Sequence, residues 1–228
     1  MQNKKVYLLR LQYKKSSIRK NSCMKKIILT GFEPFGPHEY NPTQESALDF
    51  DGKVFGDREV LGLVLPATYT AWGQLASLII RTGGVYAVIS TGLATSAQGV
   101  RIESTFHNLM NGKYADADGY MPHNIPILDM VSAPAVFHPK APLKKLFSIL
   151  KNNGIPVEYS NDADRFICNA LGYNMSAATR TSKRVTNNLF IHIPWTTKYA
   201  DRVTISPGKI FLGHNEYYKA LELLIRNI

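Results

Sequence analysis

Residues 59–90 read EVLGLVLPATYTAWGQLASLIIRTGGVYAVIS, and they contain a strand pattern, a helix pattern and a second strand pattern in succession. Glu59–Leu65 is an apolar run of strand length. Tyr69–Arg81 has the length of a helix, and the pair of glycines that follows it is a typical helix end. Val85–Ser90 is short and rich in β-branched residues, as buried strands are. Strand and helix alternating at this spacing predict an α/β fold, with a sheet between helices.

The same alternation continues on both sides of this stretch. Ile27–Leu29 is predicted as the first strand of a domain that begins at Met24. The other predicted strands are Val100–Asn108, Pro156–Ser160 and Leu189–Ile193, and the other predicted helices are Thr43–Phe50, Pro142–Asn152, Cys168–Thr179 and Asn215–Arg226. In the last helix, the spacing predicts an inward face of Tyr218, Leu221, Leu224 and Ile225. No internal repeat or linker divides residues 24–228, so we expect a single mixed or mostly parallel α/β domain.

Composition excludes several classes of protein. The chain of 228 residues is 45% hydrophobic and 19% charged, which is typical of a globular protein and not of a disordered chain or a coiled coil. It contains no apolar run of about 18 residues, the length of a membrane-spanning helix. Its two cysteines, Cys23 and Cys168, cannot form a disulfide framework. We therefore expect a cytoplasmic protein.

The net charge of +10 is concentrated in the first 23 residues. These residues include seven lysines and arginines and no acidic residue, whereas the rest of the chain is nearly balanced. We interpret residues 1–23 as a basic extension that is disordered or that derives from an upstream start codon. A transit peptide, or an arm that binds nucleic acid or anionic lipid, remains an alternative.

Cys168 is the residue that most suggests catalysis. It follows a predicted strand and a polar turn, and it begins a predicted helix. The positive end of the helix dipole favours a thiolate there, and the free N–H groups of the first turn could stabilise an oxyanion. The alternative is a small buried core residue, which is the commoner role of a single cysteine.

His192 and Glu103 could complete a catalytic group with this cysteine. His192 lies at the end of a predicted strand, where α/β proteins often place functional side chains, although a structural histidine is the alternative. Glu103 lies inside a predicted strand and needs solvent or a partner, which a surface ion pair with Arg101 would supply. A thiol, an imidazole and a carboxylate match the nucleophile, base and orienting group of covalent catalysis, but their spacing in sequence does not bring them together. The six histidines lack metal-ligand spacing, so no metal site is expected.

Gly31–Gly36 (GFEPFG) and the nearby Asn41-Pro42 form a loop after the first strand. The loop carries two aromatic side chains, Phe32 and Phe35. These could simply pack against the domain, or they could form the wall of an apolar pocket for a small ring.

Several separate motifs, in the same order, resemble the pyroglutamyl peptidase I family of cysteine peptidases. They are TGFEPFG (30–36), NPT (41–43), GLATSAQGVRIES (92–104), SN (160–161) with FICN (166–169), and FIHIPW (190–195). The resemblance extends from about Met24 to the C-terminus. It implies a three-layer α/β/α sandwich with a mixed, mostly parallel sheet and no metal or other cofactor.

This resemblance also implies an activity and a set of catalytic residues. Members of the family are cytoplasmic enzymes that remove N-terminal pyroglutamate from peptides and proteins. By this resemblance, Cys168 is the nucleophile that forms a thioacyl-enzyme, His192 is the general base, and Glu103 orients the imidazole. The expected partners are N-pyroglutamyl peptides and further copies of the chain, as a dimer or tetramer, with no nucleic acid or membrane.

The substrate-binding residues implied by the resemblance surround a pyrrolidone ring. Phe32, Phe35 and Phe166 would clamp the ring, and the backbone of Leu93 would hydrogen-bond the lactam. The other two positions are Asn41, which shapes the loop, and Lys113, which would lie near the oxyanion.

Two departures from the family pattern leave alternatives open. Many members have an arginine in the loop that is TSAQG here (95–99), and Lys113 replaces a second arginine. Lysine keeps the charge but loses the planar guanidinium. One alternative is therefore a weakened or retuned member of the same fold. The other is a binding protein that uses its basic N-terminal extension on nucleic acid or a membrane surface.

Overall fold

The computed structural model describes residues 24–228, and the basic extension expected at residues 1–23 lies outside them. The strands are β1 Lys25–Phe32, β2 Val54–Phe55, β3 Arg58–Leu65, β4 Val85–Leu93, β5 Val100–Glu103, β6 Phe106–His107, β7 Val136–Phe137, β8 Val157–Ser160 and β9 Val185–Ile193. The helices are α1 Pro42–Phe50, α2 Ala71–Thr82, α3 Leu143–Asn152, α4 Ile167–Thr181 and α5 His214–Asn227, with a short 3₁₀ helix at Thr197–Tyr199.

Seven strands form the central sheet, in the order β2-β3-β1-β4-β9-β5-β8. The pairs β1–β3, β1–β4, β4–β9 and β5–β8 are parallel, whereas β2–β3 and β5–β9 are antiparallel. The sheet is therefore mixed and mostly parallel, as expected. Strands β5 and β8 run opposite to β9. The C-terminal end of β8, at Ser160, therefore lies away from the sheet edge at which β9 ends near His192, whereas a fully parallel sheet would bring the two strand ends to one edge.

Helices cover both faces of the sheet and bury two apolar cores. One core contains residues of α1, α3 and α5, including Phe50, Leu146 and Leu221. The other contains residues of α2 and α4, including Leu75 and Leu171. This arrangement is the expected α/β/α sandwich. In the described part of the chain, no helix is both long and apolar enough to cross a membrane.

Two details of the sequence prediction were wrong. The predicted strand Val100–Asn108 is interrupted after Glu103, and Ser104 and Thr105 belong to no strand. Phe106–His107 instead pairs with Val136–Phe137 in a separate two-stranded sheet.

One of the four residues predicted on the inward face of α5 was also wrong. Tyr217 is fully buried, and its hydroxyl hydrogen-bonds the hydroxyl of Ser46 at 2.8 Å. The predicted Tyr218 is only partly buried, and its hydroxyl donates to Asp49. Both residues are tyrosines, so apolar periodicity alone could not distinguish them.

Candidate active site

Antiparallel pairing of β5 and β9 brings Glu103 to His192. Arg101 lies directly opposite His192 in the register, so Glu103, two residues further on, is a diagonal neighbour on the same face. The Nδ1 atom of His192 lies 2.8 Å from Oε1 of Glu103. The histidine is 6% exposed and the glutamate 1%. Glu103 is therefore paired with the histidine and not with Arg101, which bonds Glu158 at 2.7 Å.

Cys168 lies in the first turn of α4, on the same face of the sheet. The N-cap residue of the helix, Phe166, supplies no side-chain cap, so the N–H groups of the first turn remain available to an anion. The side chain of the next residue, Asn169, is fully buried and holds this turn in place. It accepts from the N–H of His107 at 2.8 Å and donates to the carbonyls of His107 and Leu109, both at 2.9 Å.

The thiol and the imidazole are close enough to affect each other's charge. Burial of the His192 ring by itself lowers its pKa, because a low-dielectric interior disfavours the charged form. The hydrogen bonds and negative charges of Cys168 and Glu103 outweigh this effect and raise the pKa of His192 from 6.5 to about 9. The site therefore favours a charged imidazolium ring on His192 beside the sulfur of Cys168.

These three side chains lie in a pocket of about 880 Å³ whose walls include several aromatic rings. Phe32, Phe35 and Phe166 all line it, as expected for a clamp around a small ring. The rings of Phe35 and Phe166 are 6.4 Å apart between centroids. Phe166 also packs edge-to-face against Tyr114 at 4.9 Å and Tyr69 at 5.5 Å.

Asn41 and Leu93 also line the pocket. The side chain of Asn41 is the N-cap of α1. It accepts from the N–H and the hydroxyl of Thr43 and donates to the carbonyl of Glu33, so it fixes the loop that carries Phe35. Leu93 ends β4, whose ladder with β1 stops at Ser90. The ladder therefore does not extend to Leu93 on the side of its backbone that faces β1.

Lys113 lies at the rim of the pocket and not in its interior. Its side chain is 73% exposed, and Nζ is 2.9 Å from Oδ2 of Asp164. The hydrogen bond to Asp164 raises the pKa of Lys113. The loop after β4 is held by a different cation, because Arg101 donates to the hydroxyl and the carbonyl of Ser96.

Four features of this site were not identified from the sequence. Tyr114 lines the pocket beside Phe166, Asn169 anchors the helix of Cys168, and Gly92 lies beside both Cys168 and His192. Asp116 is buried and accepts from the N–H groups of Tyr69, Asp118 and Tyr120, which holds together the loops that carry the aromatic wall. The sequence did carry a signal for three of them, because Gly92 and Asn169 lie within the quoted motifs and Asp116 lies in the segment ADADGYMP (115–122), which also agrees with the family resemblance. Residues 24–228 contain no group of three or more His, Cys, Asp or Glu side chains that could hold a metal ion.

Comparison with known proteins identifies the family. The family model described as pyroglutamyl peptidase matches residues 25–209. The chain belongs to the pyroglutamyl peptidase family. Among curated relatives, the pyrrolidone-carboxylate peptidase of Thermococcus litoralis is 31% identical over 90% of this chain and 90% of its own length. That of Oceanobacillus iheyensis is 34% identical over 78% of this chain and 87% of its own.

Solved structures of pyroglutamyl peptidases have the same fold. The pyrrolidone carboxyl peptidase of Thermococcus litoralis superposes with a TM-score of 0.83 at 30% identity, covering 89% of this chain and 92% of that one. The pyroglutamyl peptidase I of Bacillus amyloliquefaciens gives a TM-score of 0.80 at 25% identity, covering 89% and 96%. The sequence resemblance to pyroglutamyl peptidases is therefore confirmed along nearly all of the described chain.

Proposed function

We propose that this pyroglutamyl peptidase removes N-terminal pyroglutamate from peptides through a thioacyl-enzyme on Cys168, with His192 as acid and base and Glu103 as the orienting carboxylate. The observation that carries the proposal is the hydrogen bond of His192 to a buried carboxylate, on the same pocket wall as a thiol at a helix N-terminus. The thiol, the imidazole and the carboxylate then have the arrangement of nucleophile, base and orienting group that nucleophilic catalysis requires.

Acylation begins with attack of the Cys168 sulfur on the carbonyl carbon that joins pyroglutamate to the next residue. A C–S bond forms and the carbonyl electrons move to the oxygen. The N–H groups of the first turn of α4 stabilise this oxyanion, and loss of one such donor typically costs about 3 kcal/mol. We assign this role to the backbone and not to Lys113, whose ammonium is bonded to Asp164 at the rim. As the C–N bond breaks, His192 gives its proton to the leaving amine.

Deacylation uses the same residues in reverse. Neutral His192 takes a proton from water, and the hydroxide attacks the thioester carbon. The C–S bond breaks, free pyroglutamate leaves, and the thiolate and imidazolium are restored. The Glu103 carboxylate accepts from Nδ1–H throughout, so Nε2 is the nitrogen that exchanges the proton.

The aromatic wall and the Leu93 backbone account for recognition of the lactam. The ring stacks among phenylalanines, while its N–H and C=O need matched backbone partners. An ordinary N-terminal residue carries a charged amine, which this apolar wall would leave without partners.

The activity is tested with a fluorogenic pyroglutamyl amide. We expect hydrolysis of this amide, and no comparable hydrolysis of the prolyl amide, which has the same five-membered ring without the lactam carbonyl. Equal rates on both amides, or no hydrolysis of the pyroglutamyl amide, would contradict the proposed specificity.

The dependence of activity on pH follows from the pKa of His192. Because its pKa is raised from 6.5 to about 9, the imidazolium persists through neutral pH and is lost only as the pH rises through about 9. We therefore expect kcat/KM to fall on the alkaline side with a midpoint near 9, a value that belongs to the coupled thiol–imidazole pair. The check is a profile of kcat/KM against pH on the fluorogenic amide. A decline centred near 6.5 would show that the charged pair does not form.

Phe166 is expected to contribute mainly to substrate binding. Phe166→Ala removes the ring that contacts Phe35, Tyr69 and Tyr114, and we expect kcat/KM to fall about 10²-fold, mostly through KM, since a stacked aromatic contact and its burial are lost. Phe147→Ala is the matched control, because Phe147 stacks on Tyr159 and does not line the pocket. Steady-state kinetics of both variants check this. Equal losses in the two would indicate general destabilisation.

We further propose that the enzyme works as a homo-oligomer. Support comes from the segment 125–136, where Ile125, Met130, Val131 and Val136 expose apolar side chains to solvent. Light scattering after size-exclusion chromatography measures the mass directly, and a monomer at micromolar concentration would contradict this proposal.

A reducing compartment such as the cytoplasm is the location we propose for this activity. Cys168 is a free thiol, and its proposed role requires that it stay reduced. Fractionation of cells followed by the pyroglutamyl amide assay tests the location, and activity confined to a secreted fraction would contradict it.

A further inference from the structure

Gly92 lies beside the two side chains that are proposed to react. It is the penultimate residue of β4 and pairs with His192 in the parallel ladder, so positions 92 and 192 face the same side of the sheet. The first turn of α4 approaches this face and brings the thiol of Cys168 to the same place. Strand, strand and helix therefore meet at a position that has no side chain.

A methyl group at position 92 would lie too close to both the imidazole and the thiol. An added Cβ would lie 2.8 Å from Cδ2 of His192, 3.0 Å from its Nε2 and 3.1 Å from Sγ of Cys168. Ordinary contacts between such atoms are about 3.5–4.0 Å, so at least one of the two groups would have to move. Nε2 and Sγ are the atoms between which the proposed mechanism passes a proton.

Neither side chain has much freedom to withdraw. Glu103 holds the imidazole at Nδ1, and the ring of Phe190 lies 5.0 Å away between centroids. The thiol is carried by the first turn of α4, which the three hydrogen bonds of Asn169 fix to residues 107 and 109. A clash at position 92 would therefore alter the thiol–imidazole geometry itself.

We propose that Gly92 is a positioning residue of the active site, and that the absence of a side chain there is what allows the imidazole of His192 and the thiol of Cys168 to meet. The proposal rests on the catalytic roles proposed above for these two residues. It is a requirement for space and not for backbone freedom, because Gly92 is not among the glycines with a positive φ angle.

The test compares Gly92→Ala with Gly84→Ala. Gly84 also lacks a positive φ, and nothing lies within 4 Å of a Cβ added there, so it controls for the loss of a glycine. We expect Gly92→Ala to lower kcat about 10²-fold or more with little change in KM, since small displacements of reacting groups have effects of this size. Gly84→Ala should keep both constants.

A second readout separates positioning from general stability. The rate of Cys168 alkylation by iodoacetamide, followed against pH, reports how far the imidazolium supports the thiolate. In Gly92→Ala this profile should shift toward higher pH, and in Gly84→Ala it should not. Wild-type kinetics and an unshifted profile in a folded Gly92→Ala variant would overturn the proposal.

The double variant Gly92→Ala/His192→Ala shows whether the effect acts through the ring. With the imidazole removed, the two shortest contacts of the added methyl are gone, and the sulfur of Cys168, 3.1 Å from it, can shift into the space of the missing ring. The double variant should therefore fold and be alkylated as His192→Ala alone is. If Gly92→Ala does not fold but the double variant does, the clash with the ring is confirmed. If both fail to fold, or if the methyl shifts alkylation equally without the ring, the proposal is wrong.

Alkylation of Cys168 does not require turnover, so these comparisons test the role of Gly92 independently of the proposed peptidase activity. An inactive wild-type enzyme would contradict the proposed function and leave the effect of Gly92 on the thiol measurable.

Discussion

Cys168→Ala is expected to lower kcat on a pyroglutamyl amide by at least about 10⁴-fold, because it removes the sulfur to which the proposed mechanism attaches the acyl group. Binding should survive, since the lactam contacts come from the aromatic wall and the backbone of Leu93. The measurement is steady-state turnover, combined with the affinity for free pyroglutamate from equilibrium titration.

The matched control for this variant is Cys23→Ala, which removes the chain's other cysteine. We expect Cys23→Ala to remain active and to remain sensitive to iodoacetamide. Turnover by Cys168→Ala at more than a few per cent of the wild-type rate would remove the cysteine mechanism. Loss of iodoacetamide sensitivity in Cys23→Ala would place the essential thiol elsewhere.

Glu103→Gln is expected to reduce kcat by about 10²–10⁴-fold while the fold is kept. The glutamine has nearly the same shape as the glutamate. It lacks the negative charge that supports the imidazolium, and its amide can hold the ring in the wrong tautomer. Because the charge of Glu103 contributes to the raised pKa of His192, the alkaline limb of the pH profile should also move to lower pH.

Glu59→Gln provides the comparison for this substitution. Glu59 also lies on a strand and forms an ion pair, with Lys26, but it is outside the pocket. We expect its kinetics and pH profile to match the wild type within a few-fold. A Glu103→Gln variant with unchanged kcat and an unchanged alkaline limb would show that the carboxylate does not act on His192.

The elements that could be predicted from the sequence are those with a clear period or a clear end. Helix α2 is capped by Gly83 in the left-handed conformation, and Gly83 is the first of the two glycines that marked the helix end in the sequence. Strand β4 is a nearly continuous apolar run because it lies in the centre of the sheet, between β1 and β9. Local patterns sufficed in both cases.

The break after Glu103 could not be predicted, because it depends on a partner distant in sequence. Residues 100–107 alternate as a strand would, yet Phe106–His107 leaves the central sheet and pairs with Val136–Phe137, which lies far along the chain. The antiparallel pairing of β5 with β9 also depends on residues that are distant in sequence. It places Glu103 diagonal to His192, and no local feature of the sequence specifies that register.

For the site, residue types were predictable and their partners were not. Cys168, His192 and Glu103 were selected by position and by resemblance, and the structure places all three in one pocket. Lys113 illustrates the limit, because a positive charge in sequence gave no indication that Asp164 would hold it at the rim. The space required at Gly92 is likewise visible only once two strands and a helix are assembled.

The covalent state of Cys168 during turnover tests the central claim most directly. The enzyme is mixed with a pyroglutamyl ester, quenched in acid before turnover is complete, and digested for mass spectrometry. We predict that the peptide containing Cys168 gains the mass of one pyroglutamyl group, and that Cys168→Ala shows no such adduct on any peptide. A wild-type enzyme that turns over the ester with the adduct on another residue would contradict the proposed mechanism.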